Sequence, residues 1–183
     1  MTTQNNHPNS VTVRVPATAA NLGPGFDSIG IAVEMWNEVT VEHGPFEVVN
    51  EGSGAELIST DDSNLVVMGA RAVYTARGAR FPNLKFHSIN EIPLARGLGS
   101  SSAAIVSGIL AGSALQGDGC NPSEALQLAA VIEGHPDNVA SAILGGCQIG
   151  VKSGDQWITS EIPLPEDLHV VVLIPDYVGE TSK

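Results

Sequence analysis

The feature that most constrains the fold is a glycine- and serine-rich stretch, P-L-A-R-G-L-G-S-S-S-A-A, at residues 93–104. It lies between a predicted strand over residues 84–92 and a predicted helix over residues 102–115. Gly97 and Gly99 permit a tight turn and put no Cβ between the backbone and a ligand. The start of the following helix would offer free N–H groups and a positive dipole end to an anion. The stretch predicts a phosphate-binding loop or, as the simpler alternative, a turn capped by serine.

This stretch matches neither of the two common nucleotide-binding sequences. No G-K-[ST] follows the glycines, so it is not a Walker A loop, and Ser102 replaces the third glycine of a dinucleotide fingerprint. In the helix that follows, Ala104, Gly108 and Gly112 recur every four residues. Interior glycine lowers helix stability by about 1 kcal/mol relative to alanine. We therefore expect another backbone to pack closely against this face.

Glu133 stands at an unfavourable place for a carboxylate. It continues the apolar stripe of a predicted helix that starts at Asn121-Pro122 and stops at Gly134. It also falls in the last turn, where a negative charge opposes the helix dipole. A hard cation such as Mg²⁺ would compensate the charge. The alternative is a side chain that reaches water or pairs with an arginine.

Polar residues follow at once in the sequence H-P-D-N, residues 135–138. They predict either ordinary capping of the next helix, which starts at Pro136 and ends at Gly145-Gly146, or a polar cluster that faces a small substrate. A zinc site at His135 lacks a third ligand at the usual spacing.

A second group of polar residues, Thr18, Asn21 and Asp27, falls in a predicted loop between two strands, where ligand contacts concentrate. Asp27 could receive an ammonium group or simply form a turn.

The remaining pattern predicts an α+β fold. Strands are expected over residues 11–15 and 29–41, with residues 46–51 returning as a hairpin partner, and over 147–152 and 157–162 as a second hairpin. A helix is expected over residues 64–77. Residues 1–10 are predicted to be a disordered tail, and the apolar run 168–174 is expected to be a buried strand.

Composition limits the functional classes. The 183 residues carry 8 basic and 20 acidic side chains, a net charge of −12, which argues against a nucleic-acid partner. No apolar run approaches the roughly 18 residues of a membrane span, so no membrane partner is expected. Cys120 and Cys147 are expected to be reduced thiols in a cytoplasmic protein.

In their order, these segments resemble the GHMP family of small-molecule kinases, whose ATP loop is similar to residues 93–103. Two further stretches resemble the homoserine kinases within it: P-A-T-A-A-N-L-G-P-G-F-D-S-I-G at residues 16–30 and E-G-H-P-D-N-V-A at 133–140. The resemblance implies an N-terminal ATP-binding domain over residues 11–165, a mixed sheet with helices on one side. It also implies a second α/β domain begun at 166–183 and truncated after its first strand.

The resemblance further implies phosphorylation of the side-chain hydroxyl of L-homoserine by ATP with Mg²⁺, a step of threonine biosynthesis, and leaves a homodimer open. It assigns catalytic roles to Asn138, Glu133 and Ser101, with Ser101 and Glu133 on the metal. The substrate contacts it implies are Thr18, Asn21, Asp27, His135 and Asn138. The implied ATP contacts are Pro93, Leu94, Ala95, Arg96, Gly97, Leu98, Gly99, Ser100, Ser101, Ser102 and Ala103, with Asn64 beside the adenine. Another kinase of the family and a nucleotide-binding half without turnover are the alternatives.

Overall fold

The computed structural model describes residues 7–117 and 119–174, which form a mixed sheet covered by helices. The strands are β1 (Ser10–Ala20), β2 (Ile29–His43), β3 (Glu47–Gly52), β4 (Leu84–Asn90), β5 (Cys147–Ser153) and β6 (Gln156–Ile162). The helices are α1 (Leu65–Ala76), α2 (Ser100–Leu115), α3 (Pro122–Glu133) and α4 (Asp137–Leu144), with a short 3-10 turn at Ala55–Leu57. The predicted α+β class is confirmed.

The long strand β2 organises the sheet. β1 pairs antiparallel with β2 along its whole length, with a register shift between Pro16 and Ala17. On its other edge, β2 pairs with β4 over residues 37–43 and with β5 over residues 29–31. The path of the sheet is β3-β4-β2-β5-β6. One strand therefore connects the β3–β4 half of the sheet to the β5–β6 hairpin.

The two faces of the sheet differ in polarity. Val39, Val41 and Phe86 are buried under the helices. Thr12, Thr40 and His87 are aligned across three strands by register, and the Thr12–Thr40 contact and the His87 side chain are exposed. This alternation is the period-two pattern of a sheet with one covered face.

Helices α1 and α2 approach each other through glycine, as the small-residue face of α2 predicted. A Cβ added to Gly108 would lie 2.0 Å from the carbonyl oxygen of Val66 on α1. A Cβ on Gly69 would lie 2.3 Å from that of Ile105 on α2. Only glycine allows the two backbones to come this close, so α2 rests firmly on α1.

Helix α3 has the predicted caps: the Asn121 side chain accepts a hydrogen bond at its start, and Gly134 ends it at φ 97°. Helix α1 begins at Leu65, one residue later than predicted, because the Asn64 side chain is its N-cap. Helix α2 begins at Ser100, two residues earlier than predicted, because Gly99 is its N-cap.

Three expectations about strands are wrong. β1 continues through residues 17–20, so Thr18 lies in a strand and not in a loop, because this segment pairs with residues 30–33 of β2. β3 forms no hairpin with β2: it pairs in parallel with β4, which lies between them. The third error is the apolar run 168–174. No strand of the described chain pairs with it, and Val171 and Leu173 are 84% and 89% exposed.

The prediction of a disordered tail over residues 1–10 can be compared with the structure only in part. Residues 1–6 lie outside the described part of the chain, and Ser10 already belongs to β1. The division at residues 165 and 166 stays a prediction. In the described residues, no helix is both long and apolar enough to span a membrane.

Candidate active site

A cavity of about 620 Å³ opens beside the Gly/Ser loop, within the range of small-molecule sites. Five segments line it. They are the loop itself, the starts of α1 and α4, the end of β1, and the paired strands β3 and β4 together with the turn that follows β3. Those of the predicted site residues that line it are Asn21, Asn64, Pro93, Leu94, Ala95, Arg96, Gly97, Leu98, Gly99, Ser100, Ser101, His135 and Asn138. Segments distant in sequence are therefore brought to one space.

The loop has the geometry of an anion site. Gly97 and Gly99 have φ values of 68° and 64°, and Ala95 adopts 53°, which is unusual for a residue with a Cβ. The N-cap of α2 is Gly99, so no side chain caps the N–H groups of the first turn, and that turn contains no acidic residue. The N–H groups and the positive end of the dipole of a 16-residue helix are thus directed toward the cavity.

Strand β1 holds the loop in place. The backbone N–H of Thr18 donates to the carbonyl of Leu98 over 3.1 Å. A Cβ on Gly99 would lie 2.0 Å from the Thr18 hydroxyl oxygen, so the loop touches the strand directly. Because Thr18 is fully buried, the Gly/Ser loop is braced by the core of the sheet.

Asn37 fixes the entry to the loop, a role that sequence analysis did not identify. Its side chain is 2% exposed, and its Oδ1 accepts hydrogen bonds from the N–H groups of Glu91 and Ile92, both at 2.9 Å. Its Nδ2 donates to Asn90 Oδ1 over 3.1 Å. One amide from β2 thereby satisfies two backbone donors where the chain leaves β4, and directs it into the loop. An asparagine inside an otherwise β-forming segment was the available signal.

Glu133 faces the start of α2. Its Oε1 accepts hydrogen bonds from Ser101 Oγ at 2.7 Å and Ser102 Oγ at 2.9 Å. The partly exposed carboxylate therefore has two hydroxyl partners at the start of α2. No group of three His, Cys, Asp or Glu side chains suited to a metal occurs in residues 7–117 and 119–174. One carboxylate beside hydroxyls nevertheless fits Mg²⁺, which commonly takes one or two carboxylates and completes its shell with water and phosphate oxygens.

The polar cluster at the start of α4 contains two side-chain pairs. Thr18 Oγ1 donates to Asn138 Oδ1 over 2.8 Å. His135 Nδ1 lies 2.6 Å from Asp137 Oδ1, and the Asp137 side chain has no exposed surface. Asn138 lines the cavity with its oxygen engaged by Thr18, so its Nδ2 is the side-chain atom that could donate to a ligand. The H-P-D-N sequence thus forms a structured cluster and does more than cap the helix.

Asn21 and Asp27 are joined less directly to the cavity. Asn21 lines it and, with φ 60°, accepts a hydrogen bond from the Asp27 backbone N–H over 2.9 Å. Asp27 itself is exposed, has φ 49°, and does not line the cavity. The structure therefore brings Thr18, Asn21, His135 and Asn138 together at or beside the cavity, and Asp27 is linked to it only through Asn21.

The far end of the cavity contains buried polar atoms that sequence analysis did not identify. Ser88 is 2% exposed, and within the described residues neither its Oγ nor Asn50 Oδ1 has a hydrogen-bond partner. Both residues line the cavity. Asn64, predicted beside the adenine, uses Oδ1 to cap α1 and Nδ2 to bond the Ser59 carbonyl. Ser88 and Asn50 are consequently the residues there with unused hydrogen-bonding capacity.

The segment leading into α1 is tied by Asp61. Its Oδ1 accepts from Ser59 Oγ at 2.7 Å, and from the backbone N–H and the hydroxyl of Ser63 at 2.8 and 2.6 Å. These hydrogen bonds, those of Ser63 foremost, lower the pKa of Asp61 to about 2. Ser59 and Ser63 both line the cavity, so the ionised Asp61 side chain fixes the position of these two lining residues.

Known proteins show the same arrangement of sequence and fold. Residues 64–146 match the family model for the GHMP kinases N terminal domain. A homoserine kinase of Synechocystis sp. is 46% identical over 178 residues, covering 94% of this chain and 58% of the relative. One of Carboxydothermus hydrogenoformans is 46% identical over 174 residues, covering 94% and 57%. The crystal structure of homoserine kinase from Cytophaga hutchinsonii superposes with a TM-score of 0.75 at 28% identity, over 91% of this chain and 58% of that one.

The family match places residues 64–146, which include the Gly/Ser loop that is braced by β1 and opens α2 at the cavity, in the GHMP kinase N-terminal domain family. Within the family, the relatives described above are homoserine kinases, and the similarity covers nearly all of this chain. The chain spans about 58% of the length of these curated relatives.

Proposed function

We propose that this chain forms the ATP- and substrate-binding part of an enzyme that phosphorylates the side-chain hydroxyl of L-homoserine to O-phospho-L-homoserine. The observation that carries the proposal is that the Gly/Ser loop and Asn138 line one cavity, while Glu133 bonds Ser101 of that loop and Thr18 bonds Asn138. The 46% identity to homoserine kinases over 94% of the chain supports the substrate. A cytoplasmic location is part of the proposal and is supported by two free cysteines.

The loop would hold the phosphates of ATP. Its backbone N–H groups and the α2 dipole attract negative charge, and the Ser100 and Ser101 side chains line the same space. Ser101 and Glu133 would hold Mg²⁺, which supplies neutralisation of charge on the β- and γ-phosphates. The adenine would lie toward Ser88 and Asn50, whose buried polar atoms need partners.

The start of α4 would place the acceptor alcohol. Asn138 Nδ2 can donate to the hydroxyl oxygen of homoserine, but an amide does not accept its proton. The bond between the γ-phosphorus and the bridging oxygen to the β-phosphate breaks, and a bond to the homoserine hydroxyl oxygen forms. The released proton passes to the transferred phosphoryl group or to water. Alignment and charge neutralisation then account for most of the catalysis.

Two variants test the placement of the hydroxyl in the full-length protein. Asn138→Ala should lower turnover because the hydroxyl loses its donor. Thr18→Val keeps the shape of the side chain but frees Asn138, and should give a smaller loss. Asn138→Asp should not raise the rate; a large increase would mean that a protein base is needed, and the mechanism without one would be wrong.

Substrate identity is tested by a coupled ATP-consumption assay of the full-length protein with L-homoserine, mevalonate and shikimate. Turnover should require homoserine. Preference for mevalonate would favour another kinase of the family, in which the Asp27 carboxylate would have no ammonium group to pair with.

The alternative of a binding half without turnover is tested on the 183-residue chain itself. Calorimetry with Mg-ATP should show binding at the loop, and the same chain should be assayed for homoserine phosphorylation. Binding without turnover supports the alternative for this chain, and turnover rejects it.

A further inference from the structure

Asp137 is a buried acid to which the mechanism above assigns no role. Its side chain has no exposed surface, and its Oδ1 is shared by two neighbours: the backbone N–H of Asn138 at 2.7 Å and His135 Nδ1 at 2.6 Å. Its other oxygen, Oδ2, is buried and has no hydrogen-bond partner among the described residues. Leaving one oxygen of a buried carboxylate without a hydrogen-bond partner is unfavourable. Capping of a helix would not need this residue to be so deeply buried.

The fold fixes the position of this carboxylate. The backbone of Asp137 packs on β2 at Gly30, where an added Cβ would lie 2.3 Å from the Asp137 carbonyl oxygen. The preceding Pro136 packs on β5 at Gly150, where a Cβ would lie 2.9 Å from the proline ring. Strands β2 and β5 therefore fix the backbone at the start of α4. Asp137 cannot move away from His135 without disturbing the sheet.

The shared oxygen determines which nitrogen of His135 carries hydrogen. An ionised carboxylate oxygen only accepts hydrogen bonds, and Oδ1 already accepts one from the N–H of Asn138. With Asp137 ionised, the His135 Nδ1 in contact with the same oxygen donates to it, in the neutral ring and in the protonated ring alike. In the neutral ring the other nitrogen, Nε2, is consequently an acceptor.

We propose that Asp137 is a positioning residue that fixes the orientation and the Nδ1–H tautomer of His135, so that Nε2 acts as a hydrogen-bond acceptor at the cavity. His135 lines that cavity, and its side chain is 37% exposed while Asp137 is covered. An acceptor there suits a ligand with a hydroxyl or an ammonium donor. This part rests on the proposed function, in which homoserine offers both groups.

The tautomer can be measured on the 183-residue chain by long-range ¹H–¹⁵N NMR of histidine at alkaline pH. The chain has five histidines, and comparison with His135→Gln identifies the signals of His135. We expect the Nδ1–H form, although free histidine prefers the proton on Nε2. An Nε2–H ring would overturn the proposal, because it would mean that Asp137 donates from a protonated carboxyl. This readout requires no substrate, so it is independent of whether homoserine is phosphorylated.

Two variants separate positioning from a structural role. Asp137→Ala removes the acceptor and should shift His135 to the Nε2–H form. Asp137→Asn keeps a side-chain oxygen that can accept from the Asn138 N–H and from His135 Nδ1. His135 should therefore retain the Nδ1–H form. If both variants left the tautomer as in the original chain, Asp137 would not determine it. The measurement on the unaltered chain remains decisive if Asp137→Ala does not fold.

Kinetics of the full-length protein give a second readout. Loss of one oriented hydrogen bond, worth about 1–1.5 kcal/mol, should raise KM for homoserine roughly tenfold in Asp137→Ala. KM for ATP should change much less, and Asp137→Asn should restore most of the loss. Equal changes in both KM values would indicate general damage to the fold and would contradict a positioning role.

Discussion

The hydroxyl of Thr18 donates to Asn138 Oδ1 over 2.8 Å and joins residues 120 positions apart in the chain. Thr18 also bonds the phosphate loop through its backbone N–H, which donates to Leu98. One buried residue of β1 therefore contacts both the loop that would hold the phosphates and the amide that would hold the acceptor alcohol. In the proposed function, the core of the sheet would therefore set the distance between the two substrates.

Gly99→Ala should disrupt both the packing of the loop on Thr18 and the binding of ATP. The residue has φ 64°, where a Cβ is unfavourable by roughly 1–2 kcal/mol. The added Cβ would also lie 2.0 Å from the Thr18 hydroxyl oxygen. We expect a loss of unfolding free energy about 1–3 kcal/mol beyond the backbone strain, and weaker Mg-ATP binding in calorimetry.

Gly78→Ala is the matched control for this strain. Its φ is 65°, an added Cβ would meet nothing within 4 Å, and it follows the end of α1 that points away from the cavity. It should show the backbone strain alone and leave Mg-ATP affinity unchanged. Equal unfolding free energies for the two variants would argue against contact between the loop and Thr18.

Glu133→Gln should remove the metal dependence of ATP binding. The amide keeps the size of the side chain but loses the charge that a divalent cation requires. Affinity for ATP in the presence of Mg²⁺ should fall by about tenfold or more, because contacts to charged groups are worth roughly 1.5–3 kcal/mol. Calorimetry with and without Mg²⁺ measures this difference. Glu47→Gln, at an exposed position of β3, should behave like the unaltered chain.

Gly108→Ala should destabilise the packing of α2 on α1. Its Cβ would lie 2.0 Å from the Val66 carbonyl oxygen, a backbone atom that cannot rotate away. We expect the free energy of unfolding, measured by denaturant titration, to fall by about 1–3 kcal/mol. Gly112→Ala is the comparison, since its nearest contact is 3.0 Å from Ala70 Cα. There the gain of about 1 kcal/mol in helix propensity should offset much of the crowding. A smaller loss at Gly108 than at Gly112 would contradict the close approach.

Asp61 should give a measurable dependence of stability on pH. Its folded-state pKa is about 2, below the ordinary value of 3.8, so ionised Asp61 stabilises the folded protein. That contribution is complete above pH 3.8 and is lost as the pH falls toward 2. The difference in unfolding free energy between the unaltered chain and Asp61→Asn should therefore favour the unaltered chain at neutral pH and shrink in acid.

Ser63→Ala checks the cause of this shift. It removes the hydroxyl that donates to Asp61 but keeps the charge. The pKa of Asp61, followed by NMR of its carboxyl carbon, should move back toward its ordinary value. An unchanged pKa would mean that Ser63 is not the main cause.

The strands and helices were largely predictable because local chemistry determines them. Asn121 followed by Pro122 starts α3 and Gly134 ends it, as expected from capping and from the left-handed conformation of glycine. The prediction of β3 as a hairpin partner of β2 was wrong because pairing depends on which strand takes the adjacent place. β4 (Leu84–Asn90), which comes later in the chain than β3, fills the edge of β2 and displaces β3 to its own far side.

By itself, the sequence determined the Gly/Ser loop, the caps and the small-residue face of α2, because each depends on the conformational preferences of neighbouring residues. It also placed Glu133 as a carboxylate in need of compensation. Only the tertiary structure showed that Ser101 and Ser102 face Glu133, that Thr18 bonds Asn138, and that Asp137 holds His135. The partners of a side chain depend on how β1, α2, α3 and α4 pack together, and no local pattern encodes that packing.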